Sequence, residues 1–166
     1  MSENQVFLSC GGNIDDRGKY IDKMIARLSR LLLPPVSQSR IMETEPVGVS
    51  GDQKWYFNVI LGGKYTNTLR DLLQQCRNIE IALGRKTKGD KKPRTADIDI
   101  LLFDGVKIDQ EDLVVPHPGI VSRRFCLEGL YEIASDFYVP GANKSVAQLY
   151  ASMDAKVRTQ KIRFID

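Results

Sequence analysis

Two aspartates, Asp97 and Asp99, open the otherwise apolar run Asp97-Ile98-Asp99-Ile100-Leu101-Leu102-Phe103, and Arg94 precedes the first by three residues. In an extended strand, residues i and i+2 share a face. The two carboxylates therefore point together, while Ile98, Ile100 and Leu102 point the other way into a core. Side-by-side carboxylates repel each other and are costly to half-bury unless a cation joins them. A few hard oxygen ligands of this kind suit Mg²⁺ shared with substrate phosphates. The planar Arg94 guanidinium is shaped to fork onto a phosphate. An Asp-x-Asp taken alone is also explained by two solvated acids at a strand end.

Upstream, the segment Arg85-Lys86-Thr87-Lys88-Gly89-Asp90-Lys91-Lys92-Pro93-Arg94 carries six positive charges against one acid. A cationic, glycine-containing loop beside paired acids meets the needs of a polyphosphate–Mg²⁺ complex, although a plainly solvated loop has the same composition. His117 is the only histidine. It is set in Val115-Pro116-His117-Pro118, where the prolines restrict its direction, and imidazole serves phosphate contact or proton handling as well as ordinary surface roles. Tyr56 and Asn58 share one face of a strand, with Trp55, Phe57 and Val59 on the other. An aromatic beside an amide suits the face and edge of a flat heterocycle, and equally suits cross-strand packing. The sequence contains neither Gly-x₄-Gly-Lys-Ser/Thr nor Gly-x-Gly-x-x-Gly, so a bound nucleotide needs another design. The Gly11-Gly12 pair reads as a tight turn.

These groups need a scaffold, and the apolar spacing outlines one. Val6–Cys10 reads as a buried strand closed by Gly11-Gly12-Asn13. From Asp15, the residues Ile21, Met24, Ile25, Leu28, Leu31 and Leu32 fall at helical spacing until Pro34-Pro35. Val36–Thr44 and Trp55–Tyr65 read as strands, separated by the turn-rich loop from Pro46 to Asp52. Thr68 and Asp71 open a second helix with the inner stripe Leu69, Leu72, Leu73, Cys76, Ile79 and Leu83, and Gly84 ends it. After Asp97–Phe103, Asp104-Gly105 predicts a hairpin into Val106-Lys107-Ile108. The order β-α-β-β-α-β is the split ferredoxin-like unit. An α+β fold with a mostly antiparallel sheet follows, with additional C-terminal helices over Val121–Ala134 and Ser145–Met153 and an edge strand in the tail.

The 166 residues are 42% apolar and 27% charged, with a net charge of +3, which fits one globular domain over 1–166. That charge is too mild to imply nucleic acid or a membrane surface. Three separated cysteines, Cys10, Cys76 and Cys126, read as reduced thiols in a core, hence a cytoplasmic setting. No signal-like or membrane-spanning stretch is visible.

Six segments in order resemble the 6-hydroxymethyl-7,8-dihydropterin pyrophosphokinase family of folate biosynthesis. They are Gly11-x-Asn13; Glu45-Pro46-x-Gly48; Tyr56-Phe57-Asn58; Ile79-Glu80-x-x-Leu83-Gly84-Arg85; Pro93-Arg94-x-x-Asp97-x-Asp99; and Val115-Pro116-His117-Pro118 through Arg123-x-Phe125. The resemblance implies transfer of the terminal diphosphate of ATP to the hydroxymethyl group of a reduced pterin, releasing AMP. It implies that Asp97 and Asp99 hold two Mg²⁺ ions and that Arg85 and Arg94 act with them in catalysis. Glu80, Lys88, His117 and Arg123 are implied at ATP, and Gly48, Tyr56, Asn58 and Phe125 at the pterin. A monomer with no nucleic-acid or membrane partner is expected. Thr87 and Lys91-Lys92 depart from the family's pattern, so altered gating by the loop Lys86–Lys92 is expected. The competing readings are a ferredoxin-like RNA-binding module and a pterin- or nucleotide-binding relative that has lost turnover. The former lacks the aromatic-bearing RNP pattern.

Overall fold

The computed structural model describes residues 2–48, 51–85 and 94–165. Strand β1 (Asn4–Gly12) leads through helix α1 (Arg17–Leu31) to β2 (Leu33–Gln38) and β3 (Ile41–Thr44). Then come β4 (Tyr56–Tyr65), helix α2 (Leu69–Ala82) and β5 (Asp97–Phe103). A small ribbon, β6 (Ile108–Gln110) and β7 (Leu113–Val115), precedes helices α3 (Gly119–Ser122) and α4 (Arg124–Ala134). The remainder is β8 (Tyr138–Val139), β9 (Lys144–Ser145), α5 (Val146–Ala151), α6 (Ala155–Arg158) and β10 (Ile162–Ile165).

The main sheet has six strands in the order β10-β3-β4-β1-β5, with β2 also on β4. Its pairings are antiparallel. Strands β2 and β3 lie end to end along β4 and together fill the second-strand place of the ferredoxin-like unit. The single strand expected over Val36–Thr44 is thus broken at Ser39 and Arg40. Ser39 keeps β4 satisfied across the break: its N–H donates to the Ile60 carbonyl, and its hydroxyl accepts the Ile60 N–H, both at 2.9 Å.

The helices begin where short polar side chains can cap them. Asp16 accepts the Lys19 N–H at 3.1 Å to start α1, and Thr68 accepts the Asp71 N–H at 3.0 Å to start α2. Ile21, Met24 and Leu28 of α1, with Leu72, Cys76 and Ile79 of α2, cover Val6, Leu8, Val59, Leu61, Ile98 and Ile100 on one sheet face. Each such aliphatic side chain contributes roughly 1.5–3 kcal/mol when fully buried. On the other face, Cys126, Leu127 and Leu130 of α4 cover Phe7, Met42, Ile60, Leu101 and Leu102.

Four further sequence expectations change. Leu102 does not join Ile98 and Ile100: a bulge on β5 between the partners of Phe7 and Leu8 puts Leu101 and Leu102 both in the α4 cluster. Gly11 and Gly12 are not a turn but the end of β1. A Cβ on Gly11 would collide with Asn58 Oδ1, and one on Gly12 with the Thr95 carbonyl, so close approach explains both glycines. Asp104-Gly105 does turn the chain, with the Val106 N–H on the Phe103 carbonyl at 3.0 Å. The strand that follows pairs with β7 instead of β5. Finally, the helix expected over Val121–Ala134 is two helices that break at Arg123. The tail does form an edge strand, β10 on β3.

Candidate active site

Three adjacent strands form the floor of a cleft. In the register, Gly11 of β1 lies between Asn58 of β4 and Asp97 of β5, and Ser9 lies opposite Asp99. Tyr56, Asn58, Ser9, Gly11, Asp97 and Asp99 all reach the same face and line a cavity of about 270 Å³. The missing side chain at Gly11 gives the Asn58 amide room to lie over the middle of this floor. Neighbouring strands are about 4.8 Å apart, so Asn58 and Asp97 stand roughly 10 Å from one another across the cleft.

The acid end is dense with charge. Arg94 donates to Asp97 Oδ2 at 3.1 Å, and Arg85 donates to Asp97 Oδ1 and, at 3.2 Å, to the Ala96 carbonyl. His117 Nε2 and an Arg123 guanidinium nitrogen each stand 3.8 Å from an Asp99 oxygen. Beneath this layer the Cys10 thiol stays protonated. Burial pushes it well above its usual range, and Cys76, Asp99, Asp97 and Glu80 add to the effect. All three cysteines are buried, and none is in a disulfide.

Strand β5 sets His117 as well as the acids, because the His117 N–H donates to the Leu101 carbonyl at 2.9 Å. The Gly119 N–H donates to His117 Nδ1 at 2.8 Å. That bond makes Nδ1 the acceptor nitrogen and turns Nε2 toward Asp99.

The opposite end combines an amide with aromatic surface. Asn58 Nδ2 donates to Thr44 Oγ1 at 2.7 Å, which fixes the amide with its Oδ1 over Gly11. Phe125 and Tyr56 add aromatic surface, and the Arg94 guanidinium lies 5.9 Å from the Tyr56 ring centroid. Val47 and the segment Gln160, Lys161 and Ile162 close this side. Glu45 and Lys161 clip the wall together: the Glu45 N–H donates to the Lys161 carbonyl at 3.2 Å, and the Lys161 N–H to Glu45 Oε1 at 3.0 Å.

The structure thus brings Arg85, Arg94, Asp97, Asp99, His117, Arg123, Tyr56, Asn58 and Phe125 around one cavity. Glu80, expected at ATP, is not on its wall. It is 2% exposed, and its carboxylate accepts the Ile98 N–H at 2.8 Å and pairs with Arg85 at 3.5 Å. A buried N–H and a buried guanidinium both require that acceptor, so Glu80 serves under the floor. Gly48, expected at the pterin, is an exposed bend residue at φ +68°, and its neighbour Val47 supplies the wall. Lys88 and the loop Lys86–Lys92 lie outside the described residues.

Several contributors had no role assigned from sequence. Asn13, fully buried, accepts the Arg94 N–H at 2.9 Å and donates to the Lys54 carbonyl at 3.0 Å, tying both ends of the cleft. Its place in Gly11-x-Asn13 was the available signal. Thr44 alternates with the buried Met42, which is a signal for its facing. Nothing in the local sequence marks Gln160 or Lys161.

Among the described residues, no three His, Cys, Asp or Glu side chains are grouped as a metal cage. Two neighbouring carboxylates without further protein ligands suit Mg²⁺, which keeps waters and takes phosphate oxygens. The donor set therefore fits an ion delivered with a polyphosphate.

Residues 7–135 match the family model described as 7,8-dihydro-6-hydroxymethylpterin-pyrophosphokinase. A 2-amino-4-hydroxy-6-hydroxymethyldihydropteridine pyrophosphokinase from Bacillus subtilis is 39% identical over 131 residues, covering 78% of each chain. One of the same description from Methylorubrum extorquens is 32% identical, covering 90% of this chain and 94% of the relative. In fold, the chain resembles wild-type Plasmodium falciparum HPPK-DHPS with pterin and p-hydroxybenzoate, at a TM-score of 0.71 and 15% identity. That likeness covers 95% of this chain and 44% of the larger one. The chain belongs to the 7,8-dihydro-6-hydroxymethylpterin-pyrophosphokinase family.

Proposed function

We propose that the cleft transfers the terminal diphosphate of ATP to the hydroxymethyl group of 6-hydroxymethyl-7,8-dihydropterin, releasing AMP, in folate biosynthesis. Membership of the pyrophosphokinase family supports the activity. The observation that carries the site assignment is the shared floor: a ring-shaped end at Tyr56 and Asn58 faces a charged end at Asp97 and Asp99 across Gly11. The hydroxymethyl oxygen attacks the β-phosphorus. The bond from that phosphorus to the bridging oxygen breaks, its electron pair leaves with AMP, and the hydroxyl proton passes to solvent with no side chain assigned as base.

Asp97 and Asp99 are the residues that would hold two Mg²⁺ ions. When bound, those ions neutralise charge on the phosphates. Arg85, Arg94, His117 and Arg123 grip phosphate oxygens, with Lys88 joining from the loop. A triphosphate competes with Asp97 for the Arg85 and Arg94 donors, and with Asp99 for His117 and Arg123. Each cation thus moves from one anion to another without crossing apolar space. Phe125 stacks on the pterin and Asn58 bonds to its edge, oriented by Thr44. Catalysis of this kind rests on alignment and charge stabilisation.

Residues 1–166 act as one pyrophosphokinase domain, in a cytoplasmic monomer. Three buried cysteines outside any disulfide support the reducing compartment. No helix among the described residues is long and apolar enough to cross a membrane. An RNA-binding role has no observation in its favour, since the cleft centres on carboxylates that repel phosphate unless a cation intervenes.

The protein mixed with ATP, Mg²⁺ and the reduced hydroxymethylpterin is expected to form AMP in equal amount to pyrophosphorylated pterin. Omitting the pterin is expected to stop AMP formation. AMP at background with all components present would overturn the reading.

A further inference from the structure

Helix α4 begins without the residue type that usually caps a helix. Its N-cap position is Arg123, extended at φ −123° and ψ 115°, and Arg123 makes no side-chain cap hydrogen bond. The same residue ends α3. The chain therefore breaks at the residue whose guanidinium faces Asp99. A break between two helices leaves the first N–H groups of one and the last carbonyls of the other in need of partners. Serine or aspartate at position 123 would satisfy the N–H side locally, but neither carries a cation for the cleft.

Gln160 supplies from 36 residues away what the local sequence lacks. Its Oε1 accepts the Arg124 N–H at 2.9 Å, and its Nε2 donates to the Ser122 carbonyl at 2.9 Å. One amide thus spans both sides of Arg123. Gln160 is itself held on two sides. Its N–H donates to the Val157 carbonyl at 3.0 Å, and its carbonyl accepts from the Arg124 guanidinium at 3.0 Å. Arg124 also donates to the Arg158 carbonyl at 3.1 Å and to Glu128 at 3.1 Å, which fastens this clamp to α4. Gln160 lies outside the segment 7–135 that carries the family match, yet it lines the cleft with Arg123 and Phe125.

We infer that Gln160 is a positioning residue: by bridging Ser122 and Arg124 it holds the break that aims Arg123 and Phe125 into the cleft. The inference rests on the reading of Arg123 and Phe125 as substrate contacts. It adds a determinant from the last strand's approach, which the family segment does not contain. A side chain free to sample several directions loses alignment at the phosphate and at the pterin face, so the loss appears in substrate use well below the temperature at which the fold melts.

The test compares steady-state AMP release, with kcat and both KM values, for wild type, Gln160→Ala, Gln160→Glu, Arg123→Ala and the Gln160→Ala/Arg123→Ala pair. Gln160→Ala removes both bonds and is expected to lower kcat/KM about tenfold. Gln160→Glu keeps the acceptor for the Arg124 N–H and is expected to lose less. In the Arg123→Ala background, Gln160→Ala is expected to cost clearly less than in wild type, because residues acting as a unit are not additive. Hydrogen exchange at the Arg124 amide is expected to quicken in Gln160→Ala and to stay near wild type in Gln160→Glu. Wild-type constants in Gln160→Ala, or the same fold-loss in both backgrounds, with Arg123→Ala impaired, would overturn the inference alone. Wild-type constants in Arg123→Ala would overturn the reading of Arg123 and the inference with it.

Discussion

The two faces of the main sheet are made by the same strands, yet they differ along their length. Beneath α1 and α2 the central strands β1 and β5 are apolar along their paired length, running from Val6 and Phe103 through Leu8 and Ile100 to Cys10 and Ile98. The one buried acid at this face's margin, Glu43, is paired with Arg17 of α1. The other face is apolar only where α4 covers it, at Phe7, Ile60 and Leu101. Past that point the same strands present Ser9, Gly11, Asn58, Asp97 and Asp99. A sheet residue two positions along meets the same face, so extending α4 by another turn would have covered these polar groups and closed the cleft. Breaking the helical cover at Arg123 instead leaves half of one face open and edges it with cations. The contrast separates residues that hold the fold from residues that do chemistry, and substitutions on each face should show that separation.

The largest effect is expected at Asp99. Asp99→Ala should lower AMP release by about 10³-fold or more. Its pairs with His117 and Arg123 are loose, at 3.8 Å, so the stability change measured by denaturant should stay within about 1 kcal/mol. Asp97→Ala should match the activity loss and also destabilise, because it strips a partner from Arg85, whose side chain is only 5% exposed. Equal stability losses for the two aspartates would break the distinction.

Glu80→Ala lies between the two classes. It leaves the buried Ile98 N–H without its acceptor and removes one of the carboxylates paired with the buried Arg85, so urea unfolding should show a loss of about 3–5 kcal/mol. Leu28→Ala, on the apolar side, should cost about 2–5 kcal/mol. Its kcat/KM at a temperature where the variant is folded should stay within about twofold of wild type.

The smallest effect concerns Cys126 on the inner face of α4. Burial, with Asp99 adding and Arg123 opposing, pushes its thiol from 9.0 up to about 12. The unfolded chain ionises this thiol first as pH rises. Its contribution is therefore constant below pH 9 and lost between about 9 and about 12. Stability measured across that window should fall less steeply in Cys126→Ala than in wild type.

Much of the chemistry was legible because it depends on neighbours in sequence. The alternation at Asp97 and Asp99 needs only two residues of strand, as does that of Tyr56 and Asn58. The stripes of α1 and α2 and the start of α2 at Thr68 follow from 3.6-residue periodicity and one polar side chain. What was misread depends on partners far along the chain. The bulge that moves Leu102 reflects pairing with Phe7 and Leu8. Gly11 and Gly12 are explained by Asn58 and Thr95. Glu80 looked like a ligand residue because nothing nearby shows that Ile98 and Arg85 require its carboxylate.

By itself, then, the sequence determined that Asp97 and Asp99 share a face, as do Tyr56 and Asn58, and that α2 begins at Thr68, since backbone geometry repeats over a few residues. Only the tertiary structure decided that Gly11, between Asn58 and Asp97, makes room for the Asn58 amide. The same holds for Asn13 joining the two ends of the cleft, and for Gln160 standing in as the cap that Arg123 cannot provide. Each of these rests on a contact between segments dozens of residues apart, where the packing of the whole chain, and no local preference, sets the distance.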